Sequence, residues 1–293
     1  MAQPEVGAGA ADGDPRGAGA AASSTRPGIR LLVSDVDGTL VRPDKQISAA
    51  TLAAIRALRG AGIAFTLVSS RPPRGMLPLI RMLDLDTPTA AFNGGAIVDT
   101  GGRTIESHPL SVENARIALD MFSAQPVETW VFADDKWLLR DPDGPYVPLE
   151  RHTLGFDGTL VDSFDPYLDR IGKIVAASAD GAGLVRLEQE INPRIAPGAH
   201  ASRSQVYYLD VNHARANKGD AVEALARHMG VSLAETAVIG DGDNDVPMFQ
   251  RAGFSIAMGQ ASAQVRAQAT VTTASNADDG LAAAVHRFIL PAA

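Results

Sequence analysis

Residues 29–41, IRLLVSDVDGTLV, constrain the fold more than any other part of the chain. IRLLVS is a short, almost continuously apolar run, the pattern of a strand buried on both faces of a parallel sheet. It stops abruptly at two carboxylates, Asp35 and Asp37. A second apolar run, TAVIG, stops in the same way at Asp241, Asp243 and Asp245. Open α/β sheets bind their ligands at the carboxyl ends of their strands. Acids at i and i+2 on a strand end raise one another's pKa unless a cation joins them. Mg²⁺ suits such a place, since it takes one or two carboxylates and keeps its other positions for water and phosphate oxygens. The alternative for an isolated D-x-D-G-T is that Asp35 and Asp37 only shape Asx turns around Gly38.

The pattern on either side of these runs predicts an α/β fold. Ser48 precedes Leu52, Ile55 and Leu58 at helical spacing, Gly60 and Gly62 stop the helix, and IAFTLVS (63–69) is a second buried strand, which completes a βαβ unit. A helical stretch near 74–84 with Pro78 leads to TAAFNGG, a third strand ending in a Gly-rich turn. After Gly95 strict alternation ceases. AIVDTGGRTIES reads as a hairpin, SVENARIALDMFSA as a helix capped by Ser111, VETWVFADDKWLLR as a hairpin around Asp134 and Asp135, and SQVYYLDVN as a closing strand. Alternation returns from Lys218, with a helix over 218–229, the strands TAVIG, FSIAMG and ATVT, and helices near 244, 261–268 and up to 289. The expected organisation is a tail over 1–28, a Rossmann-like parallel-sheet core made of 29–95 and 213–293, and an inserted α+β domain over 96–212.

Composition narrows the function. At 293 residues, two domains of roughly 150 residues each are expected. A formal charge of −8 without any Lys/Arg-rich run argues against a nucleic-acid partner, and the lack of a long uninterrupted apolar segment argues against a membrane one. There are no cysteines, so disulfides, thiolate metal sites and thiol nucleophiles are excluded. The first 28 residues, rich in Ala and Gly, do not have the layout of a signal peptide, and a cytoplasmic location is expected.

DGTLV occurs twice. The second copy, at 157–161, follows RHTLG instead of a buried strand, and Gly155 stands where the first copy has Asp35, so it is expected to be a coincidence on a loop of the insert. Between the two acidic strand ends the chain supplies Ser69, Ser70 and Arg71 at the end of the second strand and Lys218 at a helix start. Hydroxyl, ammonium and helix-start N–H groups are the donors a phosphoryl group needs.

With those residues in view, the sequence resembles the haloacid dehalogenase superfamily, and within it the Cof-type (subfamily IIB) phosphatases, over roughly 29–290. DVDGTL resembles the first motif, Ser69 the second, Lys218 the third and GDGDNDVPM the fourth, and FNGG resembles the turn that opens the Cof-type cap. One departure is Ser69-Ser70-Arg71 where the family usually has Thr-Gly-Arg; Ser70 adds a side chain where the backbone normally comes close to phosphate. The resemblance implies an Mg²⁺-dependent phosphatase of small phosphorylated metabolites, sugar phosphates or similar. In it Asp35 is the nucleophile and Asp37 the general acid and then base. Asp35, the Asp37 carbonyl and Asp241 hold the metal with Asp245 in support, and Ser69, Lys218 and Asn244 hold the phosphoryl oxygens. Ser70 and Arg71 complete the expected phosphate-binding set, although Arg71 could equally pair with an acid of the fourth motif. Asp243 is expected to be a solvated loop acid. Trp130 and Trp137 are expected in the core of the insert, the alternative being stacking on a sugar. The histidines are expected to be structural. Two other readings are a phosphomutase-like transferase and a non-catalytic phosphometabolite-binding protein, the latter disfavoured because none of Asp35, Asp37, Lys218 and Asp241 is missing.

Overall fold

The computed structural model describes residues 28–291. Apart from Gly28, the expected tail lies outside the described residues. The chain begins with β1 (Leu31–Ser34), α1 (Ala49–Gly60), β2 (Ala64–Leu67), α2 (Pro73–Met82), β3 (Thr89–Ala91), β4 (Ala96–Val98) and β5 (Thr104–Ser107). Then come α3 (Val112–Ser123), β6 (Glu128–Ala133), β7 (Lys136–Leu139), α4 (Val147–Leu154), β8 (Thr159–Leu160), β9 (Ile171–Ala177), α5 (Gly181–Ile195), β10 (Ala199–Gln205) and β11 (Tyr208–His213). It closes with α6 (Lys218–Met229), β12 (Thr236–Gly240), α7 (Val246–Arg251), β13 (Phe254–Ala257), α8 (Ala263–Arg266), β14 (Val271–Thr272) and α9 (Gly280–Ala284).

The apolar strands form one parallel sheet in the order β14-β13-β12-β1-β2, so the two runs that end in acids are neighbours. All four residues of β1 are buried, as are all five of β12, because helices cover both faces. Helix α1 starts where Ser48 caps it, accepting from the Thr51 N–H at 3.0 Å, and presents Ala54, Ile55 and Leu58 to the sheet. Helix α6 is capped by Asn217 and ends at Gly230, whose φ of 63° supplies the left-handed stop.

β3 runs parallel to β2 through a bridge between Val68 and Ala90, and β4 and β5 extend it as an antiparallel hairpin. The hairpin over 96–107, counted with the insert from its sequence, therefore hydrogen-bonds to the strand beside the parallel sheet. The next sheet begins with β6, in a six-stranded array ordered β10-β11-β9-β6-β7-β8. One face of this array packs with α3 and α5 through Phe122, Leu187, Ile191 and Val211. Its other face carries Trp130, Phe132 and Trp137 into a cluster shared with residues of the parallel-sheet region. Both tryptophans are buried there, edge to face with ring centroids 5.2 Å apart. The second DGTLV begins on the connection after α4, where the exposed Asp157 pairs with Arg151 at 2.7 Å, and its Thr159 and Leu160 form the short edge strand β8 in place of the expected loop.

SQVYYLDVN, expected as one strand, is the end of β10, a turn at Val206–Tyr207, and β11. β10 reads AHASRSQ, without β-branched or aromatic residues, and the turn has no Gly, Pro or Asn to mark it.

Phe122 is fully buried between α3 and the six-stranded sheet, and its truncation to Ala should cost about 3–5 kcal/mol. Both tryptophans of the chain lie in this sheet, so their fluorescence reports its unfolding. In urea titrations of Phe122→Ala the fluorescence transition should move to lower denaturant.

Candidate active site

The ladder between β1 and β12 pairs Ser34 with Ile239 and lets the Asp35 N–H donate to the Ile239 carbonyl at 2.9 Å. Asp35 and Asp241 therefore leave adjacent strand ends on the same edge of the sheet. Asp35, Asp241 and Asp245 each offer an oxygen within 4.8 Å of the others. Lys218, the first residue of α6, enters between them. Its Nζ donates to Asp35 Oδ1 at 2.6 Å and to Asp245 Oδ1 at 2.5 Å, all three side chains being almost completely buried.

Asp245 acts as a brace. Its Oδ2 accepts from the backbone N–H groups of Asp241 and Gly242 at 2.7 and 2.8 Å, which fixes the loop after β12. Asp241 is further oriented by the Thr39 hydroxyl, which donates to Oδ1 at 3.1 Å. Gly38 allows this approach: its φ is +92°, and a Cβ there would stand 2.3 Å from Asp241 Oδ2.

Burial raises the pKa of Asp35; the Lys218 charge works against this, while Asp245 and Asp241 add to it. Asp241 is pushed up to about 6 by burial and then by the Asp245 carboxylate. Burial would lower Lys218, but the carboxylates of Asp245 and Asp35 more than reverse that and keep it charged. Three carboxylates face one ammonium, and two like charges 4 Å apart repel by about 4 kcal/mol at an effective dielectric of 20. An all-oxygen donor set with this surplus of negative charge fits a hard divalent cation. Asp35 and Asp241 are the side chains able to hold it, because the oxygens of Asp245 are already engaged.

Asp37 is arranged differently. Burial would raise its pKa, yet Arg71, with Nε and Nη2 donating at 2.8 and 2.9 Å, and Lys45, with Nζ at 2.8 Å, hold it well below the ordinary carboxylate range. Arg71 thus pairs with an acid of the first strand end, not with one after β12.

These groups border a cleft of about 220 Å³. Of the expected site residues, Asp35, Asp37, Ser70, Lys218, Asp241 and Asn244 line it. Asp245 and Arg71 stand behind the lining. Ser69 is buried, and its Oγ accepts from the Arg71 N–H at 3.2 Å, so Ser70 and not Ser69 reaches the cleft surface. Asp243 is exposed at the rim. Another wall is the end of β10 with the first residue of the turn after it, Arg203 to Val206.

Several contributors went unrecognised in the sequence. Asn93, buried in left-handed backbone with φ 57°, accepts from Asn244 Nδ2 at 3.3 Å; the Asn-Gly dipeptide was its signal. Lys173 donates to the Ser70 carbonyl at 3.0 Å and to Asp210 Oδ2 at 3.3 Å, tying β9 to the segment after β2. Lys45, Lys173 and Arg203 carry no local signal, since long-range packing alone brings them to the site.

Comparison with known proteins agrees with this geometry. The profile of a family described as haloacid dehalogenase-like hydrolase matches residues 32–285. The chain is 30% identical over 240 residues to the HMP-PP phosphatase of Cronobacter sakazakii, covering 82% of this chain and 87% of that one. It is 24% identical over 272 residues to the pyridoxal phosphate phosphatase of Escherichia coli K12, covering 89% and 99%. Among solved structures, an HAD subclass IIB sugar phosphatase superposes with a TM-score of 0.78 at 24% identity, covering 89% of this chain and all of that one.

An acid whose folded pKa is raised to about 6 weakens the fold above that pH, because its charged form is penalised only in the folded state. As pH falls from about 7 toward 5 the folded protein takes up this proton before the unfolded chain does, so metal-free protein should gain stability from Asp241. Mg²⁺ should raise Tm by binding the folded state, and that rise should shrink over the same interval because protons compete for the ligand oxygens. Thermal melts with and without Mg²⁺ at several pH values check both effects, and Asp241→Asn should abolish the metal-dependent rise.

Proposed function

The chain belongs to the haloacid dehalogenase-like hydrolases, within their Cof-type phosphatases, and on that premise we propose that it is an Mg²⁺-dependent phosphatase of small phosphorylated metabolites acting through an aspartyl-phosphate. The observation that carries this reading is the arrangement of Asp35, Lys218 and Asp241 on adjacent strand ends, at the floor of a cleft large enough for a compact ester. Mg²⁺ held by Asp35, Asp241 and the Asp37 carbonyl would neutralise the repulsion between an attacking carboxylate and an anionic phosphate.

In this reading the Asp35 oxygen not engaged by Lys218 attacks phosphorus as the bond to the leaving oxygen breaks. Lys218 works against the rise that burial imposes on the pKa of the nucleophile and, with Asn244 and Ser70, offers donors to the transferring oxygens. Asp37 protonates the departing alkoxide, and then takes a proton from the water that attacks phosphorus and releases phosphate from Asp35. Its ion pair with Arg71 and Lys45 keeps Asp37 ionised while the cleft is empty. An incoming phosphate competes for those two cations and brings negative charge beside Asp37, and both effects raise its pKa toward the acid role.

The insert expected over 96–212 would serve as the cap; the pairing of the hairpin at 96–107 with β3 supports starting it at 108. No helix of the described residues is long and apolar enough to cross a membrane, and the proposed setting is the cytoplasm.

The test is a panel of phosphorylated metabolites with and without Mg²⁺, followed by release of inorganic phosphate. Asp35→Asn should lower that release by at least about a thousandfold, by loss of the nucleophile, with little change in fold. Turnover by the variant at the parent rate would remove Asp35 from the mechanism. An isomerised ester in place of free phosphate would indicate transfer to a second hydroxyl.

A further inference from the structure

Resting on the phosphatase reading above, we infer that the leaving group of the substrate carries a carboxylate, and that Arg203 selects for it. Three lysines and two arginines stand in or behind the cleft. Lys218 is committed to Asp35 and Asp245, Arg71 and Lys45 to Asp37, and Lys173 to Asp210 and the Ser70 carbonyl. Arg203 lines the cleft and makes its ion pair with an acid outside it. Its Nε donates to Glu188 of α5 at 3.0 Å, which orients the guanidinium and leaves its terminal nitrogens for another acceptor.

Arg203 is the last residue of β10 before a break in strand register. Arg203 pairs with Leu209 but Gln205 pairs with Tyr208, so Ser204 is an extra residue in β10. Up to that break alternation is strict, so Arg203 shares the face of Ala199 and Ala201, which pack toward α5, and there it meets Glu188. A bulge of this kind re-aims side chains at the end of a strand, and here it sits at the cleft wall.

The rest of the lining gives the class of ligand. Ser70, Ser204, Gln205 and Asn244 supply hydroxyl and amide groups, and Val206, 72% exposed at the tip of the turn, supplies one apolar contact. Among the described residues no aromatic side chain lines the cleft, and Trp130 and Trp137 are buried. A flat ring would find no stacking surface, and about 220 Å³ leaves room for a short chain. At the phosphoryl end Asp37, Asp241 and Asp243 repel a second anion. On the wall made by β10 the fork of Arg203 matches a carboxylate in shape and charge.

Two phosphomonoesters with the same carbon skeleton test this, 3-phosphoglycerate and glycerol 3-phosphate, which differ in a carboxylate against a hydroxymethyl group. The parent should favour the acid in kcat/KM by about tenfold or more, mainly through KM. Arg203→Gln should bring the ratio close to one and Arg203→Lys should restore part of it, while Arg186→Gln, an exposed arginine of α5, should leave the ratio as it is. A parental ratio near one, or a ratio unaltered in Arg203→Gln, overturns the inference. So does phosphate release from other phosphomonoesters with neither of this pair turned over, an outcome that leaves the phosphatase reading intact. Release from no phosphomonoester in the presence of Mg²⁺ removes both.

Discussion

The ammonium of Lys218, held between the carboxylates of Asp35 and Asp245, is the interaction on which the site depends. An ion buried alone costs several kcal/mol, and carboxylates this close would each titrate upward without a partner. Lys218 relieves both costs with one side chain. It ties the end of β1 and the loop after β12 to the first turn of α6, so electrostatic balance and placement of Asp35 are the same interaction. The remaining negative charge is what makes the edge a seat for a divalent cation.

The legible parts of the sequence were those governed by short-range physics. Apolar runs that stop at acids located β1 and β12, and Ser48, Asn217 and Gly230 mark helix boundaries through hydrogen bonds and backbone angles local to the chain. The second DGTLV could be set aside because no buried strand precedes it. What sequence did not disclose depended on partners far along the chain. The turn between β10 and β11 lacks turn residues, and the hairpin at 96–107 looks the same whichever sheet it joins. Ser69 and Ser70 differ in role because the backbone at Ser69 is held by Ala90 and Asn93, which sequence spacing does not reveal.

Contact between the six-stranded sheet and the parallel-sheet region is polar as well as apolar. Lys173 reaches from β9 to the Ser70 carbonyl, beside the aromatic rings of Phe92 and Phe132, while Asp210 holds it from behind. The segment that carries Ser70 is therefore gripped by β9, so the six-stranded sheet and this wall of the cleft are mechanically joined. Ser70 lines the cleft, and its contact with Lys173 uses the backbone carbonyl alone.

The central strands of the parallel sheet are neighbours in space and remote in synthesis. Thr39 meets Asp241 across a separation of 202 positions, and the whole cap is made in between. A growing chain thus displays β1 and its acids long before the partner strand emerges from the ribosome. Closing so long a loop is entropically costly and slow, so the cap has time to form first and to bring its two ends together. The insert that covers the finished cleft also shortens the search by which its two halves meet.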